Sequence, residues 1–585
     1  MRSLFKKLNT VLPSAEKKRI VALIVAMVIG GLMELAGVSA VFPLISIMTS
    51  EDGKLPAVLL RFLPESVAAN RTELVVVLAL ALIVIYILKN LYIVKMYDSI
   101  FSFTWNGTTR TATDTMDLFM HAPYSIFLQM SIPELQRVVQ VDVIGTYRVL
   151  EGVLQIMSEG VICLILAILL VVASPLMTLF LFVLLAAVDG FYLIQSRKKA
   201  KKLGEEQLKE ATEEARVLLD SFSSIKELKV LGREKYFIKR YSEQRKRLAR
   251  TGKGNQMLVI LPRPLTETIC ICGVMAILIF VSLRGGNVAD MIPVLAVFAV
   301  AAFRMLPSVG KINGFISNMT YGMPALNDLY SKMGEIEELR KAQGLKKSDE
   351  GETELKFEKE MELKNVTFLY KTGRKILDEV TLKIKKGETV GIIGGSGAGK
   401  TTLVDVIMGL LVPEKGKVLS DGTDIQGAMR KWHSFIGYVP QTIYLSNATV
   451  RENVAFGIEP DRIDDEKVEK ALKMAQAWSF VQDMPEKTDT FIGDRGMRIS
   501  GGQRQRIGIA RALYMEPQIL VFDEATASLD GETEKALMDS ISSLKGGHTM
   551  IIIAHRLETL KDCNKIYEVK DGKVISAFEK VKGRN

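Results

Sequence analysis

The sequence predicts an α-helical membrane domain with six transmembrane helices, fused to an α/β domain that contains a phosphate-binding loop. Three observations support this fold class: apolar runs fill the first half of the chain, strand-like runs alternate with helical stretches after residue 355, and a glycine-rich loop follows one of those strands. The chain has 585 residues, enough for several domains. Its apolar content of 48% and mean hydropathy of +0.20 exceed those of most soluble enzymes.

The charge pattern also indicates a membrane protein. The net charge of +10 comes from Lys and Arg residues that crowd the segments flanking the apolar runs, as the positive-inside rule describes. A basic chain can also indicate nucleic-acid binding, but because of this charge pattern we expect no nucleic-acid partner. The four cysteines lack the spacing of a zinc site, and Cys270 and Cys272 lie inside an apolar run, so we expect no disulfide framework.

Six apolar runs have about the 20 residues needed to cross a bilayer. The N-terminus is basic, which places the entry of the first run on the cytoplasmic side. We predict spans at residues 20–48, 74–94, 149–173, 175–195, 257–283 and 291–315. The polar stretches 95–148 and 196–256 are predicted to extend into the cytoplasm as helices. Residues 56–64 form either a short helix at the outer surface or a packed loop.

Composition divides the chain into three parts. Residues 1–325 form the membrane domain, residues 326–352 a charged helical linker, and residues 353–585 the α/β domain. The basic tract within the second long extension and the even number of spans place both the N-terminus and the α/β domain in the cytoplasm.

The stretch "GGSGAGKTT", residues 394–402, follows the strand "TVGIIG" and opens a helix, which is the setting of a phosphate-binding P-loop. Gly394, Gly397 and Gly399 allow the backbone to curl so that its N–H groups point at phosphate oxygens. Lys400 adds a positive charge toward the β and γ phosphates, and Thr401 offers a hydroxyl to Mg²⁺. A purely structural glycine turn would not require this combination.

Two carboxylates follow the buried strand "QILVFDE". Asp523 is placed to bind Mg²⁺, and Glu524 is placed to polarise the attacking water. This pair alone is a moderate signal, but together with the P-loop it indicates a nucleoside triphosphatase.

The signature "ISGGQRQR", residues 499–506, together with "YVPQ" and "IIIAHR", resembles the ATP-binding cassette of ABC transporters. The resemblance covers the whole chain and implies an ABC exporter fold, with ATP and Mg²⁺ as cofactors. It implies adenine stacking by Tyr370, magnesium sensing by Gln441 and γ-phosphate contact by His555; a core tyrosine, a turn glutamine and a capping histidine are the alternatives. The ATP-binding residues implied are Tyr370, Gly394, Ser396, Gly397, Gly399, Lys400, Thr401, Thr402, Ser500, Gly501, Gly502, Gln503 and Asp523. The metal ligands implied are Thr401, Gln441 and Asp523, and the catalytic residues are Glu524, His555 and Gln441.

The same resemblance implies a homodimer. Ser500 and Gly501 would face ATP held by the P-loop of a second subunit, and one chain contains one cassette. Two departures from the family pattern stand out: "ASLD" at 527–530 exchanges the first two residues of the usual Ser-Ala-Leu-Asp, and Asp494 replaces the Glu common in exporters. We expect contacts that transmit motion at residues 121–127 and 223–232.

Ionisable residues inside the predicted spans are costly and mark function by default. The cations Lys89, Arg263 and Arg304 lie on three different spans and could converge on an anion. Pro262 and Pro264 should kink the fifth span and turn Arg263 toward a cavity. Alternatively, Arg263 and Glu267 neutralise each other at spacing i and i+4, and the other two cations reach the interface.

"MELAGVSAVFPLISIM", "ILKNLYIVKMY", "LPRPLTETI" and "FRMLPSVGKI" resemble spans of bacterial flippases for lipid-linked oligosaccharides. That resemblance implies substrate pyrophosphate contacts for Lys89, Arg263 and Arg304, and a location in the bacterial inner membrane among membrane lipids. The implied activity is flipping of a polyprenyl-pyrophosphate-linked oligosaccharide to the outer leaflet. The alternatives are a multidrug or lipid A-like lipid exporter and, more distantly, an ATP-gated channel or regulatory ATPase.

Overall fold

The computed structural model describes residues 2–11, 14–39, 71–173, 175–283, 292–342, 354–370, 373–524, 541, 544, 546–554 and 560–579. The chain divides into two compact units. The first unit comprises Met1–Ala122 and Leu128–Glu337, and the second comprises Pro123–Phe127 and Glu338–Asn585. The predicted outer segment 56–64 lies outside the described residues.

The described part of the first unit is helical. With the short α4, which belongs to the second unit, the helices in chain order are α1 (Arg2–Val11), α2 (Ser14–Ser39), α3 (Arg71–Met120), α4 (Tyr124–Phe127), α5 (Ile132–Arg137), α6 (Val143–Ala173), α7 (Pro175–Ser223), α8 (Ile225–Leu231), α9 (Glu234–Ile260), α10 (Pro262–Leu283) and α11 (Ile292–Ala342). Helices α3 and α7 each contain a predicted span continued by a predicted polar extension, because no proline or glycine pair stops the helix where the apolar run ends.

Helix α3 shows this continuity best. It is 50 residues long, and at 1.5 Å per residue it extends about 75 Å. Its apolar half exposes large side chains, among them Leu91 at 63% and Val94 at 67%, as expected for a surface covered by lipid. Within the described part of the chain, the segment Thr72–Met120 of α3 is the one stretch of helix long and apolar enough to cross a membrane, and an 18-residue window in it has a mean hydropathy of 2.7. The total of six spans stays a prediction.

The helices are interrupted at two informative places. A π-helical turn, Val138–Asp142, joins α5 to α6, and across it Arg137, the last residue of α5, donates hydrogen bonds to Asp142 at 2.7 and 2.8 Å. Further along, α9 ends at Ile260 and α10 begins at Pro262. Proline cannot donate the backbone hydrogen bond that would continue α9, so the helix is interrupted at the place where the sequence predicts a kink.

Two buried polar clusters lie between helices of the first unit. Nζ of Lys89 on α3 lies 3.0 Å from a carboxylate oxygen of Glu34 on α2, and both side chains are under 5% exposed. Elsewhere, Oδ1 of Asp189 on α7 accepts hydrogen bonds from Thr266 at 3.0 Å and Asn313 at 2.7 Å. These polar groups are paired across helices because an unpaired charge away from water is costly.

The second unit contains two sheets. Its elements are β1 (Glu360–Leu369), β2 (Lys375–Lys385), β3 (Thr389–Gly394), α12 (Lys400–Ile407), β4 (Lys415–Ser420), β5 (Thr423–Asp424), α13 (Met429–Ser434), β6 (Ile436–Val439), α14 (Val450–Val454), α15 (Asp465–Met474), α16 (Trp478–Gln482), α17 (Gly501–Tyr514), β7 (Ile519–Asp523), β8 (Thr549–Ile553), β9 (Lys565–Lys570) and β10 (Lys573–Glu579). An antiparallel sheet has the order β2-β1-β4-β5, and the larger sheet has the order β10-β9-β3-β8-β7-β6.

The larger sheet determines where the site can form. Strands β9, β3, β8, β7 and β6 run parallel, and among the described strands of this sheet only β10 is antiparallel. All five residues of β7 and all five of β8 are buried, the pattern of strands covered on both faces. The carboxyl ends of β3, β6, β7 and β8 therefore meet at one edge, which is where ligands bind in such sheets.

Candidate functional site

The loop between β3 and α12 has the backbone that phosphate binding requires. Gly394, Gly397 and Gly399 all have positive φ, at 154°, 75° and 104°. A Cβ on Gly394 would lie 2.4 Å from the carbonyl oxygen of Val569, so only glycine fits there. Lys400 is buried and donates hydrogen bonds from Nζ to the carbonyl oxygens of Gly394 (2.9 Å) and Gly395 (3.2 Å). The loop thus holds the ammonium group at the N-terminus of α12, beside the phosphate cradle.

Acidic side chains gather at the same sheet edge. Asp523 ends β7, and burial followed by the negative charge of Glu524 raises the pKa of Asp523. Burial and the charge of Asp523 raise the pKa of Asp405, on α12, to about 6. The hydroxyl of Tyr438, on β6, donates a 3.4 Å hydrogen bond to Asp523. The sequence analysis missed Asp405 and Tyr438, although both belong to elements that end or begin at this edge.

Gln441 and Glu524 are brought together by neighbouring parallel strands. β6 pairs with β7, so the residues that follow both strands emerge side by side. Nε2 of Gln441 donates a 2.9 Å hydrogen bond to Oε2 of Glu524. Glu524 has φ of 48°, a left-handed backbone that non-glycine residues adopt rarely and often at functional sites. The contact orients the carboxylate that sequence reasoning assigned to water activation.

Tyr370 lies next to the phosphate loop. Its hydroxyl and that of Thr402 are hydrogen-bonded at 3.1 Å, and its ring meets Phe368 edge-on with centroids 5.1 Å apart. Tyr124 of α4 belongs to the same compact unit and lies in segment 121–127, where the sequence predicts contacts that transmit motion. Burial and the negative charge of Asp405 raise the pKa of Tyr124. Adenine stacking by Tyr370 remains a prediction.

The signature residues form the start of α17. Ser500 caps the helix: its hydroxyl accepts from the backbone N–H of Gln503 at 3.2 Å, and the Gln503 side chain accepts from the backbone N–H of Ser500 at 2.9 Å. Ser500 and Gly501 are exposed at this N-terminus, whereas Gly502 is buried. The exposed start of α17 therefore suits an anion, while the side chain of Gln503 is used locally for capping; contact of Ser500 and Gly501 with ATP stays a prediction.

Some predicted residues lie outside the described part of the chain, namely His555 and the segment 527–530. Of the described loop residues, Ser396 and Thr401 are exposed at the mouth of the cradle and Thr402 is buried. Among the described residues, no group of three or more His, Cys, Asp or Glu side chains is arranged to hold a metal by itself. Mg²⁺ at Thr401, Gln441 and Asp523 would therefore need phosphate oxygens as further ligands, the usual way this ion is bound.

The three predicted cations of the membrane unit have different surroundings. Lys89 is paired with Glu34, and its ammonium group lies 4.4 Å from the centroid of the Tyr86 ring. Arg263 and Glu267 are both exposed, and no ion pair joins them in the described structure. The backbone of Arg263 approaches Gly310, where an added Cβ would lie 3.0 Å from that of Arg263. Arg304 belongs to α11, but its side chain is outside the described ones. Substrate contact by all three stays a prediction.

Comparison with known protein families gives two matches to this chain. Residues 377–527 match the ABC transporter family, and residues 20–301 match the ABC transporter transmembrane region. Among solved structures, a bacterial Atm1-family ABC exporter with ATP bound matches with a TM-score of 0.75 over 96% of this chain and 95% of its own, at 22% identity. That similarity establishes the exporter fold.

Curated relatives include ATP-dependent lipid A-core flippases. The protein of Cupriavidus metallidurans is 31% identical over 464 residues, covering 78% of this chain and 76% of that relative. The protein of Desulfotalea psychrophila is 31% identical over 403 residues, covering 68% and 67%. These matches confirm an ATP-binding, multi-pass membrane protein with a cytoplasmic ATPase domain. The chain belongs to the ABC transporters, as an exporter-type half-transporter that joins one transmembrane region to one ATP-binding cassette.

Proposed function

We propose that this chain is an ATP-driven flippase that moves a phosphorylated glycolipid of the lipid A-core type from the cytoplasmic to the outer leaflet. One observation supports the cargo: the match to a lipid A-core flippase covers 464 residues, more than the cassette region contains. It therefore includes membrane-region residues, which must accept the cargo. The relatives favour a lipid A-like lipid as the cargo. In the sequence analysis this cargo was the alternative to a polyprenyl-pyrophosphate-linked oligosaccharide.

The described residues suit the hydrolytic half of this activity. The P-loop and Lys400 would hold the phosphates of ATP, and Asp523, Thr401 and Gln441 would hold Mg²⁺, which would supply positive charge to offset that of the phosphates. Glu524, oriented by its 2.9 Å hydrogen bond to Gln441, polarises the attacking water. The raised pKa of Asp523 and the nearby Asp405 support a cation here, because a divalent ion offsets repulsion among clustered carboxylates.

We further propose that the working form is a homodimer. Ser500 and Gly501 are exposed at the start of α17, where backbone N–H groups and the helix dipole favour an anion. In a head-to-tail pair of cassettes, this anion would be ATP bound to the P-loop of the second copy.

The experiment is ATP hydrolysis by the purified full-length protein in nanodiscs. Three preparations are compared: phosphatidylcholine alone, phosphatidylcholine with lipid A, and phosphatidylcholine with a polyprenyl-pyrophosphate-linked glycan. The proposal predicts that lipid A raises the ATPase rate severalfold and the polyprenyl compound does not. Stimulation by the polyprenyl compound alone would reinstate the oligosaccharide reading. Equal rates in all three would remove both cargo assignments.

A further inference from the structure

The cytoplasmic end of the membrane unit contains a polar cavity of about 830 Å³ that no part of the proposed ATP cycle uses. It lies among α6, α7, α9 and α11, and its polar lining consists mainly of Arg148, Gln207, Arg245, Asn255, Asn318 and Tyr321. None of its lining residues is acidic. The volume is that of a site for a ligand of drug size or larger, and the lining is basic and hydrogen-bonding.

We infer that this cavity binds the phosphorylated sugar headgroup of an anionic glycolipid on the cytoplasmic side, before the lipid is flipped. The inference rests on the proposed function and deepens it by naming where the headgroup is first held.

The first argument is charge. Arg148 makes no hydrogen bond or ion pair with the residues that the structure describes, and its guanidinium carbon lies 5.8 Å from the centroid of the Tyr321 ring. Arg245 contacts Glu214, outside the cavity lining, at 3.2 Å, yet a guanidinium has five N–H donors and several remain. Planar guanidinium groups with free donors are well suited to phosphate.

The second argument is the orientation of the amides. Oε1 of Gln207 accepts hydrogen bonds from Thr251 at 2.7 Å and Tyr321 at 2.8 Å, which leaves its NH₂ group for a ligand. Nδ2 of Asn255 donates a 2.9 Å hydrogen bond to Oδ1 of Asn318, which leaves the NH₂ group of Asn318 for a ligand as well. The cavity therefore offers amide donors as well as guanidinium donors, all of which a phosphate can use.

The third argument is an acceptor that lacks a donor. Asn255 is only 7% exposed, and its Oδ1 has no hydrogen-bond partner among the described residues. Leaving a buried acceptor unpaired costs free energy, and a ligand hydroxyl would satisfy it. A phosphorylated sugar has both a phosphate for the arginines and hydroxyls for Asn255.

The fourth argument is depth. Arg148 directly precedes the predicted span 149–173, and Asn255 and Gln256 directly precede the predicted span 257–283. Arg245 lies on the cytoplasmic extension, about 15 Å from Asn255 toward the start of α9 at 1.5 Å per residue. The cavity therefore extends from the level of the lipid headgroups into the cytoplasm. A headgroup could occupy it while the acyl chains remain in the bilayer.

One residue allows the cavity to be filled without disturbing the fold. Gly252 lines the cavity within α9, and a Cβ built on it has no atom within 4 Å. Leucine there would enter the cavity and favour the helix. Gly334 on α11 also has open space around its Cβ but is exposed and outside the lining. Gly334→Leu is therefore a matched control, and Arg247→Ala, an exposed arginine of α9 outside the lining, matches Arg148→Ala.

The test measures equilibrium binding of lipid A to the full-length protein in detergent, with native mass spectrometry as the readout. Glucosamine 1-phosphate and inorganic phosphate serve as soluble probes. We expect Arg148→Ala and Gly252→Leu each to raise the Kd of lipid A by about tenfold or more, with both controls within about twofold of wild type. Unchanged Kd values in both cavity variants would overturn the inference. If inorganic phosphate bound as tightly as lipid A and was lost in the same variants, the cavity would be a free-anion site and the headgroup assignment would be wrong.

Failure of this inference is distinguishable from failure of the proposed function. Suppose that lipid A stimulates the ATPase rate of wild type and of Gly252→Leu equally, and that lipid A binding is also unchanged in this variant. The cavity would then be excluded as the headgroup site, while the flippase proposal would stand. An absence of stimulation in wild type would remove the flippase proposal, while the binding data would still decide whether the cavity holds a phosphorylated headgroup.

Discussion

Nε2 of Gln441 donates a hydrogen bond of 2.9 Å to Oε2 of Glu524. The two residues follow neighbouring parallel strands, and the bond joins the loop after β6 to the carboxylate after β7. A shift in the position of Gln441 would therefore break or move this contact with the Glu524 carboxylate. This relationship gives a direct route by which movement of the loop alters water activation.

Glu524→Gln should lower the ATPase rate by at least about a hundredfold, because an amide cannot act as a general base. Gln441→Ala should cause a smaller loss, since it leaves the carboxylate present but no longer oriented. The measurement is steady-state phosphate release by the full-length protein, with binding of a fluorescent ATP analogue as the check on folding. A rate for Gln441→Ala equal to wild type would show that the hydrogen bond has no role in hydrolysis.

Asp405 should make stability depend on pH. Burial and the charge of Asp523 raise its pKa from 3.8 to about 6, so the folded state binds this proton more tightly than the unfolded state does. Ionising Asp405 therefore lowers the free energy of unfolding. This loss of stability is absent below about pH 3.8 and complete above about pH 6. Asp405→Asn removes that cost, and should stabilise the cassette by roughly 1 kcal/mol near pH 7.5, a figure reduced for partial solvent screening.

Thermal unfolding of the nucleotide-free full-length protein at pH 5 and pH 7.5 checks this prediction. The unfolding temperature of Asp405→Asn should exceed that of wild type by more at pH 7.5 than at pH 5. Asp424→Asn, a change of a partly exposed aspartate elsewhere in the cassette, serves for comparison. An equal difference at both pH values would contradict a proton held by Asp405.

The buried pair of Lys89 and Glu34 should behave as a structural unit. Removing one partner leaves an uncompensated buried charge, so Lys89→Met or Glu34→Gln alone should destabilise the protein by about 3 kcal/mol. The double variant should recover most of that loss. A double-mutant cycle of unfolding in detergent measures the coupling. Normal flipping by the stable double variant would exclude the predicted contact of Lys89 with substrate phosphate; loss of flipping would support it.

Arg263 tests the predicted anion contact in the membrane unit. It is exposed, and no ion pair joins it to Glu267 among the described residues, so its guanidinium donors are available to an anion. Arg263→Ala should lower the flipping rate by about tenfold, and Arg263→Lys should retain part of it, because lysine keeps the charge but lacks the planar fork. Glu267→Gln, one turn away on the same exposed face, is the control. Equal rates for Arg263→Ala and Glu267→Gln would assign Arg263 no role in binding.

Local chemistry in the sequence predicted the cassette well. A glycine pattern between a strand and a helix can form few structures, so the P-loop and the carboxylates after β7 were identifiable from residue types and order. The break at Pro262 was predictable for the same reason, since proline cannot donate the hydrogen bond.

Contacts between elements distant in the chain were not predictable. Tyr438 and Asp405 join the site only because the sheet order places β6 beside β7 and α12 at the same edge. The pairing of Lys89 with Glu34 depends on how α2 packs against α3, and spacing alone does not reveal it. Opposite charges in two adjacent apolar runs were the available signal. Cargo is the hardest feature to predict, because one fold accepts many substrates.

The central claim is that ATP hydrolysis moves a phosphorylated glycolipid across the bilayer. The most direct measurement is translocation of fluorescent lipid A in proteoliposomes, read as the fraction protected from a membrane-impermeant quencher, for wild type and Glu524→Gln. The account predicts ATP-dependent translocation by wild type, abolished in Glu524→Gln, which still binds ATP. Wild-type protein that hydrolyses ATP without moving lipid A, or equal translocation by the two proteins, would contradict it.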